Sequence, residues 1–282
     1  METATTIVQV RQKVSLARKE GKTIGFVPTM GALHEGHASL IRTARERDCF
    51  TVVSLFVNPK QFGPREDFHL YPRPLQADLR LCETAGAALA FHPSAEEIYP
   101  LGFQTSVEVE GLGEALCGRA RPGHFRGVTT VVLKLFNQVL PDIAFFGQKD
   151  AQQALILRKM VRDLDVPVEM VICPTVRETD GLAMSSRNRY LSPLERERAP
   201  GIYQALLELK QEIVQGARDA SELAGRLRQR LKAIPGAELD YADLMDTRTL
   251  APVGRLQGEI LAAVAVRFGS TRLIDNLLVQ AP

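Results

Sequence analysis

Short apolar runs alternate with helical patterns through the first 175 residues of this 282-residue chain, and the alternation limits the folds open to it. Nearly continuous apolar runs are typical of parallel strands that are covered on both faces. Such runs predict strands at residues 23–27, 50–57, 87–91, 143–146 and 168–172. Apolar residues at helical spacing predict helices between them, at residues 38–44, 75–82, 128–140 and 151–164. This order predicts an α/β fold with a doubly wound parallel sheet.

The sequence changes in character beyond about residue 175. Charge-rich helical patterns at residues 193–215 and 220–233 come before apolar runs at 239–246 and 260–268, which predict strands of a separate small sheet. We therefore expect a first domain over residues 1–175 and a second, smaller α+β domain over residues 176–282.

Composition excludes several classes of protein. The 35 Lys and Arg residues nearly balance 33 Asp and Glu, and 6% of residues are aromatic, which disfavours nucleic-acid binding. Apolar runs such as residues 260–266 are too short to span a bilayer, and no signal-peptide pattern opens the chain. The scattered cysteines contain no Cys-x-x-Cys pair, as is typical of buried thiols in a reducing compartment. We expect a cytoplasmic protein without membrane or nucleic-acid partners.

Two histidines follow the first predicted strand. The segment FVPTMGALHEGH (residues 26–37) passes from an apolar run through a glycine turn to His34 and His37, at the start of a predicted helix. Free N–H groups and the helix dipole favour an anion at such a junction. Imidazole donates hydrogen bonds to phosphate oxygens and titrates near neutral pH. The segment therefore predicts a phosphate site with two titratable donors.

Two other interpretations of this segment remain open. One is a polar helix cap that happens to contain histidines. The other is a metal pair, although the zinc-protease pattern places its histidines four residues apart, whereas His34 and His37 are three apart.

Polar clusters also follow two other predicted strands. Asn58 and Gln61 come after residues 50–57, and Gln148, Lys149 and Asp150 come after residues 143–146. Ligands of doubly wound sheets collect at the carboxyl ends of the strands, so we expect these loops to converge with the histidines.

Phosphate donors also occur in the loop at residues 184–188. Ser185, Ser186 and Arg187 offer two hydroxyls and a guanidinium. Conventional nucleotide motifs are missing, since no P-loop sequence occurs and the glycines at 111 and 113 lack the third glycine of a dinucleotide fingerprint.

Five ordered motifs together resemble the pantoate–β-alanine ligase (pantothenate synthetase) family, within the nucleotidyl transferases that carry a His-x-Gly-His type signature. The motifs are PTMGALHEGH (28–37), FVNPKQF (56–62), GHFRGV (123–128), FGQKDAQQ (146–153) and MSSRN (184–188). The resemblance covers essentially the whole chain and implies a Rossmann-like first domain with a C-terminal lid.

The resemblance also implies functional residues. His37 is the implied proton donor, and His34, Lys149 and Arg187 assist it at the phosphates. Gln61 and Gln153 would bind pantoate, and Gln61 would also lie near β-alanine. The implied ATP-binding residues are Met30, Gly31, Ala32, Leu33, His34, Glu35, Gly36, His37, Gly147, Gln148, Lys149, Asp150, Val176, Met184, Ser185, Ser186 and Arg187. No protein metal ligand is implied.

The implied reaction has two steps and uses Mg²⁺ with ATP as substrate. The carboxylate of (R)-pantoate attacks the α-phosphate of ATP and expels pyrophosphate; the amine of β-alanine then attacks the pantoyl adenylate, releasing AMP and pantothenate. By analogy the protein is expected to be a homodimer. The alternatives are a nucleotidyl transferase that stops after one step and a regulatory module that binds nucleotide without catalysis. The role of His124 and the basic loop at residues 121–126 stays open.

Overall fold

A computed structural model describes residues 1–64 and 66–281 of the chain. The chain forms two compact units. The first contains Met1–Gly147 and Ile156–Pro174, and the second contains Gln148–Leu155 and the chain from Thr175 onward. The predicted domain boundary after residue 175 stays a prediction, but the segment Gln148–Leu155 groups with the later residues.

The first unit is built on a parallel sheet in the order β1-β4-β3-β2-β5-β6. Its strands are β1 Glu2–Ala4, β2 Ile24–Thr29, β3 Phe50–Leu55, β4 Leu89–Phe91, β5 Ile143–Gly147 and β6 Glu169–Cys173. The helices are α1 Ile7–Lys19, α2 Glu35–Glu46, α3 Leu75–Ala85, α4 Ala95–Ile98, α5 Cys117–Ala120, α6 His124–Val139 and α7 Ala151–Asp163, the last continuing from the second unit.

Apolar clusters cover both faces of this sheet. Phe26 and Val27 are adjacent in β2, yet they belong to different clusters because successive strand side chains point to opposite faces. Residues of α1 and α6 pack with Phe26, whereas residues of α2 and α3 pack with Val27. The predicted doubly wound sheet is therefore confirmed.

The strand order reverses direction between β2 and β5. The chain proceeds from β2 through β3 to β4 on one side, and from β5 to β6 on the other. β2 and β5 pair only at Gly25 and Phe26 of β2, so their carboxyl ends lie beyond the hydrogen-bonded part. A reversal of this kind is where doubly wound sheets bind ligands.

The second unit packs helices on an antiparallel sheet in the order β7-β8-β9. Its strands are β7 Ala237–Asp246, β8 Gly258–Phe268 and β9 Thr271–Ala281, and its helices are α8 Pro193–Arg198, α9 Gly201–Val214 and α10 Ala220–Ala233. One apolar cluster joins α9 and α10 to the sheet. The predicted small second sheet is confirmed.

Some sequence-based expectations for the secondary structure were wrong. Residues 193–215 form two helices, because Pro200 has no N–H to continue the hydrogen-bond ladder of α8. The strand β9 was not predicted, since Asp275 and Asn276 interrupt its apolar residues. The elements β1 and α1 were also missed.

No helix among residues 1–64 and 66–281 has both the length and the apolar character needed to cross a membrane.

Candidate active site

A buried carboxylate holds the turn that follows β2. Gly31 and Ala32 both have positive φ, 77° and 50°. Asp78 of α3 is 4% exposed and accepts hydrogen bonds from the N–H groups of Ala32 at 2.9 Å and Leu33 at 2.8 Å. The left-handed conformation costs an alanine about 1–2 kcal/mol. The two charge-assisted hydrogen bonds offset that cost and shape the turn.

The two histidines lie side by side at the N-terminus of α2. His34 is the N-cap, with extended backbone, and its Nδ1 accepts a hydrogen bond from Gly36 N–H at 3.1 Å. His37 Nδ1 accepts from His34 N–H at 3.3 Å, and the ring centroids are 4.1 Å apart. The proximity that their spacing predicts is confirmed.

These backbone hydrogen bonds determine which ring nitrogens can donate. An Nδ1 that accepts a hydrogen bond carries no proton, so the neutral forms of His34 and His37 carry theirs on Nε2. Both rings therefore present an Nε2–H donor beside the positive end of the α2 dipole. The polar-cap interpretation and the phosphate-site interpretation are compatible, since the Nδ1 atoms form the cap and the Nε2 atoms remain for a ligand.

Gln61 lies in a short 3-10 turn, Pro59–Gln61, just beyond β3. Its side chain is buried, donates from Nε2 to Met30 Sδ at 3.0 Å and accepts from Asn58 Nδ2 at 3.0 Å. Asn58, 1% exposed, also accepts from the Tyr99 hydroxyl at 2.8 Å, and burial raises the pKa of that hydroxyl. The structure thus brings an implied pantoate residue against an implied ATP residue within the first unit.

The helix α6 packs closely on this turn at Gly127. A Cβ on Gly127 would lie 2.2 Å from the carbonyl oxygen of Lys60 and 2.7 Å from Gln61 Cα. The Gly127 carbonyl also accepts from Asn58 Nδ2 at 3.1 Å. Glycine is therefore required by a backbone-to-backbone contact that holds Gln61 in place.

We expect Gly127→Ala to destabilise the protein by about 1–3 kcal/mol, because the added methyl overlaps backbone atoms that have no rotamer to change. Gly225→Ala is a matched control, since Gly225 is also helical but has nothing within 4 Å of the position that a Cβ would occupy. There the exchange should stabilise by about 0.5–1 kcal/mol. Urea unfolding measures both, and equal effects would contradict the packing argument.

His124, whose role the sequence left open, contacts the Gln61 backbone. Arg121 Nη1–H donates to His124 Nε2 at 3.1 Å, because a guanidinium can only donate. His124 Nδ1–H therefore donates to the Gln61 carbonyl at 2.8 Å. Arg121 Nη2 donates to the same carbonyl at 3.3 Å and to Glu66 Oε2 at 2.5 Å. These contacts give His124 a supporting role beneath Gln61.

The pKa of Glu66 responds to the same cluster. Burial raises it, but the hydrogen bond and charge of Arg121 outweigh burial, so the pKa lies below its ordinary value of 4.5. A lowered folded-state pKa means that the stabilisation is complete above that ordinary value and is lost as pH falls through the folded-state value.

We expect Glu66→Gln to lower stability at neutral pH and to flatten its decline in acid, because the neutral amide has no proton to gain. Urea unfolding of both proteins from about pH 7 down to about pH 3.5 measures the difference. The exposed Glu110 provides the control, as Glu110→Gln. Parallel acid limbs for wild type and Glu66→Gln would contradict this assignment.

In the second unit, strand β9 holds the turn that contains Lys149. Residues Gln148–Asp150 form a 3-10 turn directly before α7. Asn276 Nδ2 donates to the carbonyl oxygens of Gln148 at 3.0 Å and Lys149 at 2.9 Å. The Lys149 ammonium lies 3.9 Å from Asp150 Oδ2.

The implied adenine and phosphate segments of the second unit are also adjacent. Met184 N–H donates to the Val176 carbonyl at 3.0 Å, and Ser185 accepts from Arg187 N–H at 3.2 Å as the N-cap of the 3-10 turn Ser186–Tyr190. A small cavity is lined by Lys149 and Ser185, together with apolar side chains such as Leu182. Two segments far apart in sequence therefore meet within this unit.

The predicted site residues fall into two groups. Met30, Gln61, His34 and His37 belong to the first unit, with Gly147 ending β5. The second unit contains Gln148–Asp150, Gln153 in the first turns of α7, Val176, Met184, Ser185, Ser186 and Arg187. The predicted convergence of the histidines with Lys149 and Arg187 stays a prediction. Among residues 1–64 and 66–281, no group of three or more His, Cys, Asp or Glu could hold a metal ion.

Sequence reasoning missed Asp78, Asp275 and Asn276. Asp78 had a detectable signal, because it shares a helical face with Cys82 and Ala85, where a buried carboxylate needs donors. Asn276 had none, since its partners are 127 and 128 residues away.

Comparison with known proteins identifies the family. The Pantoate-beta-alanine ligase family model matches residues 2–278. Pantothenate synthetase of Acetivibrio thermocellus is 50% identical over 99% of this chain and 100% of its own length. That of Heliobacterium modesticaldum is 54% identical over 97% of this chain and 99% of its own length.

Solved structures agree. Pantothenate synthetase from Thermus thermophilus has a TM-score of 0.93 and 48% identity, covering 98% of this chain and 99% of that one. The Francisella tularensis enzyme, crystallised with β-γ ATP and β-alanine, has a TM-score of 0.77 and 35% identity, covering 99% and 97%. The chain therefore belongs to the pantoate–β-alanine ligase family.

Proposed function

We propose that this protein condenses (R)-pantoate with β-alanine to form pantothenate, using ATP. The observation that carries the proposal is the pair of histidine Nε2–H donors at the carboxyl end of β2, in a chain that belongs to this family. Two adjacent neutral donors at a helix N-terminus suit the α- and β-phosphates of a nucleotide.

In the first step, a carboxylate oxygen of pantoate attacks the α-phosphorus of ATP, and the bond to the β-phosphate breaks. Negative charge accumulates on the leaving pyrophosphate. The Nε2–H of His37 donates to it and supplies the proton, with His34 as the neighbouring donor. Residues 30–37 bind the nucleotide through the turn that Asp78 holds.

Residues of the second unit complete the proposed ATP binding. Lys149 and Arg187 bind phosphate oxygens, Ser185 and Ser186 add hydroxyl donors, and the Val176 backbone binds the adenine. Mg²⁺ enters with ATP as part of the substrate and neutralises phosphate charge. Glu35, Gly147, Gln148, Asp150 and Met184 belong to the same proposed binding segments.

Gln61 and Gln153 bind pantoate in this proposal. An amide has both a donor and an acceptor, which suits a molecule that carries hydroxyl and carboxylate groups. In the second step, the amine of β-alanine, close to Gln61, attacks the carbonyl carbon of the adenylate. The bond to the AMP oxygen breaks, and the amine loses a proton.

Isotope exchange tests the order of steps. Labelled pyrophosphate should enter ATP when pantoate is present and β-alanine is absent, because adenylate formation is reversible and complete without the amine. An exchange that requires β-alanine would refute the adenylate intermediate. Formation of AMP with both substrates separates this ligase from a nucleotidyl transferase that keeps the nucleotide in its product, and absence of ATP turnover would identify a regulatory module.

We also propose a homodimer. Sedimentation equilibrium should give twice the chain mass of 31.1 kDa, and a monomer mass at micromolar concentration would rule the dimer out.

A further inference from the structure

A two-residue stretch of β9, Asp275 and Asn276, contacts both proposed ATP-binding segments of the second unit. We refer to this pair as the β9 anchor. Asp275 is 5% exposed and Asn276 is 3% exposed, so their hydrogen bonds form away from water. Buried polar side chains are expensive unless their partners are well placed, which makes the identity of those partners informative.

Asn276 binds the turn that contains Lys149. Its Nδ2 donates to the carbonyl oxygens of Gln148 and Lys149, and its Oδ1 accepts from Gln148 Nε2 at 3.4 Å. The following peptide groups are planar and trans, so each N–H points opposite to its carbonyl. The N–H groups of Lys149 and Asp150 are therefore directed away from Asn276. One side-chain amide sets the orientation of both peptides and the origin of the Lys149 side chain.

Asp275 holds Asn276 and the second segment. Its Oδ1 accepts from the Asn276 N–H at 2.7 Å and from Arg177 Nη2 at 2.9 Å, while its Oδ2 accepts from Arg177 Nη1 at 2.6 Å. The guanidinium also lies 3.5 Å from the ring centroid of Tyr203. Arg177 directly follows Val176, the proposed adenine contact, so the anchor constrains both segments at once.

We propose that Asn276 is a positioning residue for Lys149 in the adenylate-forming step. This inference rests on the proposed function and on the role given there to Lys149. The physical reason is donor chemistry, because two carbonyl oxygens facing one side chain require N–H donors that aspartate cannot supply at neutral pH. An aspartate of the same shape would also repel both carbonyls.

A double-mutant cycle on pantoate-dependent pyrophosphate exchange tests the proposal, using Lys149→Ala, Asn276→Ala and the double variant. We expect Lys149→Ala to lower kcat about 100-fold and Asn276→Ala about 10-fold. In the Lys149→Ala background, Asn276→Ala should cost less than about twofold, because nothing remains to be positioned. Asn276→Asp, which keeps the side-chain volume, should behave like Asn276→Ala even if the alanine variant folds poorly.

Additive losses in the cycle would overturn the positioning role, as would wild-type exchange in Lys149→Ala. Asp240→Asn is the matched control, since Asp240 pairs with Arg272 of the same strand at 2.8 Å, and it should keep wild-type exchange and a comparable melting temperature. A wild-type protein without pantoate-dependent exchange would overturn the proposed function and this inference with it. Wild-type exchange with additive variants would overturn the inference alone.

Discussion

His37→Ala is expected to lower pantoate-dependent pyrophosphate exchange by about 10²–10³-fold, because it removes a donor aimed at charge that develops on the leaving group. Stability should change little by comparison, since the lost contact is a single 3.3 Å hydrogen bond from the His34 N–H. Steady-state exchange at saturating ATP and pantoate measures the effect. The KM for pantoate should stay within a few-fold.

Two amide replacements separate the two ring nitrogens of His37. Asparagine places an oxygen near the position of Nδ1, where it can still accept from His34 N–H, but it has no group at the position of Nε2. Glutamine extends an N–H toward the Nε2 position. If donation from Nε2 is what matters, His37→Gln should keep more exchange activity than His37→Asn. His92→Ala is the control, and the opposite order of the two amides would contradict the proposed role.

Asp78→Ala is expected to destabilise the first unit by about 3 kcal/mol and to reduce exchange about 100-fold. The substitution leaves the N–H groups of Ala32 and Leu33 without their carboxylate acceptor in a buried site. The left-handed conformation of Ala32 then loses its compensation, and the turn before the histidines can relax. Urea unfolding and exchange assays measure the two effects.

Asp78→Asn refines this test. Its amide keeps one acceptor oxygen and replaces the other by a donor, so about half of the destabilisation should remain. Glu83→Gln is the matched control on the same helix, because Glu83 is exposed and pairs with the N-terminal amine. An exposed pair contributes at most about 1 kcal/mol. If Asp78→Ala and Glu83→Gln had similar effects, Asp78 would not be the support of the turn.

Local patterns predicted much of the fold. Apolar runs predicted strands near β2, β3, β5 and β6 to within a few residues, because a buried strand needs apolar side chains on both faces. The helical pattern at residues 220–233 matches α10. The prediction of one helix at residues 193–215 was wrong at Pro200, and β9 escaped because its polar residues are buried rather than exposed.

The histidine pair shows how much of the site could be predicted. The spacing of three residues was enough to place His34 and His37 together at a helix N-terminus. It could not say which nitrogen would donate, since that depends on which backbone N–H groups occupy each Nδ1. The roles of these residues in catalysis stay predictions until the exchange assays are done.

The sequence alone determined the order of strands and helices, the doubly wound sheet and the histidine pair, because each depends on contacts between residues close together in the chain. Only the tertiary structure decided that Asp78 supports the histidine turn, that His124 supports Gln61 and that Asn276 supports Lys149. These partners are separated by 46, 63 and 127 residues. A buried polar side chain is satisfied by whichever backbone group the fold brings to it, and no local pattern encodes that meeting.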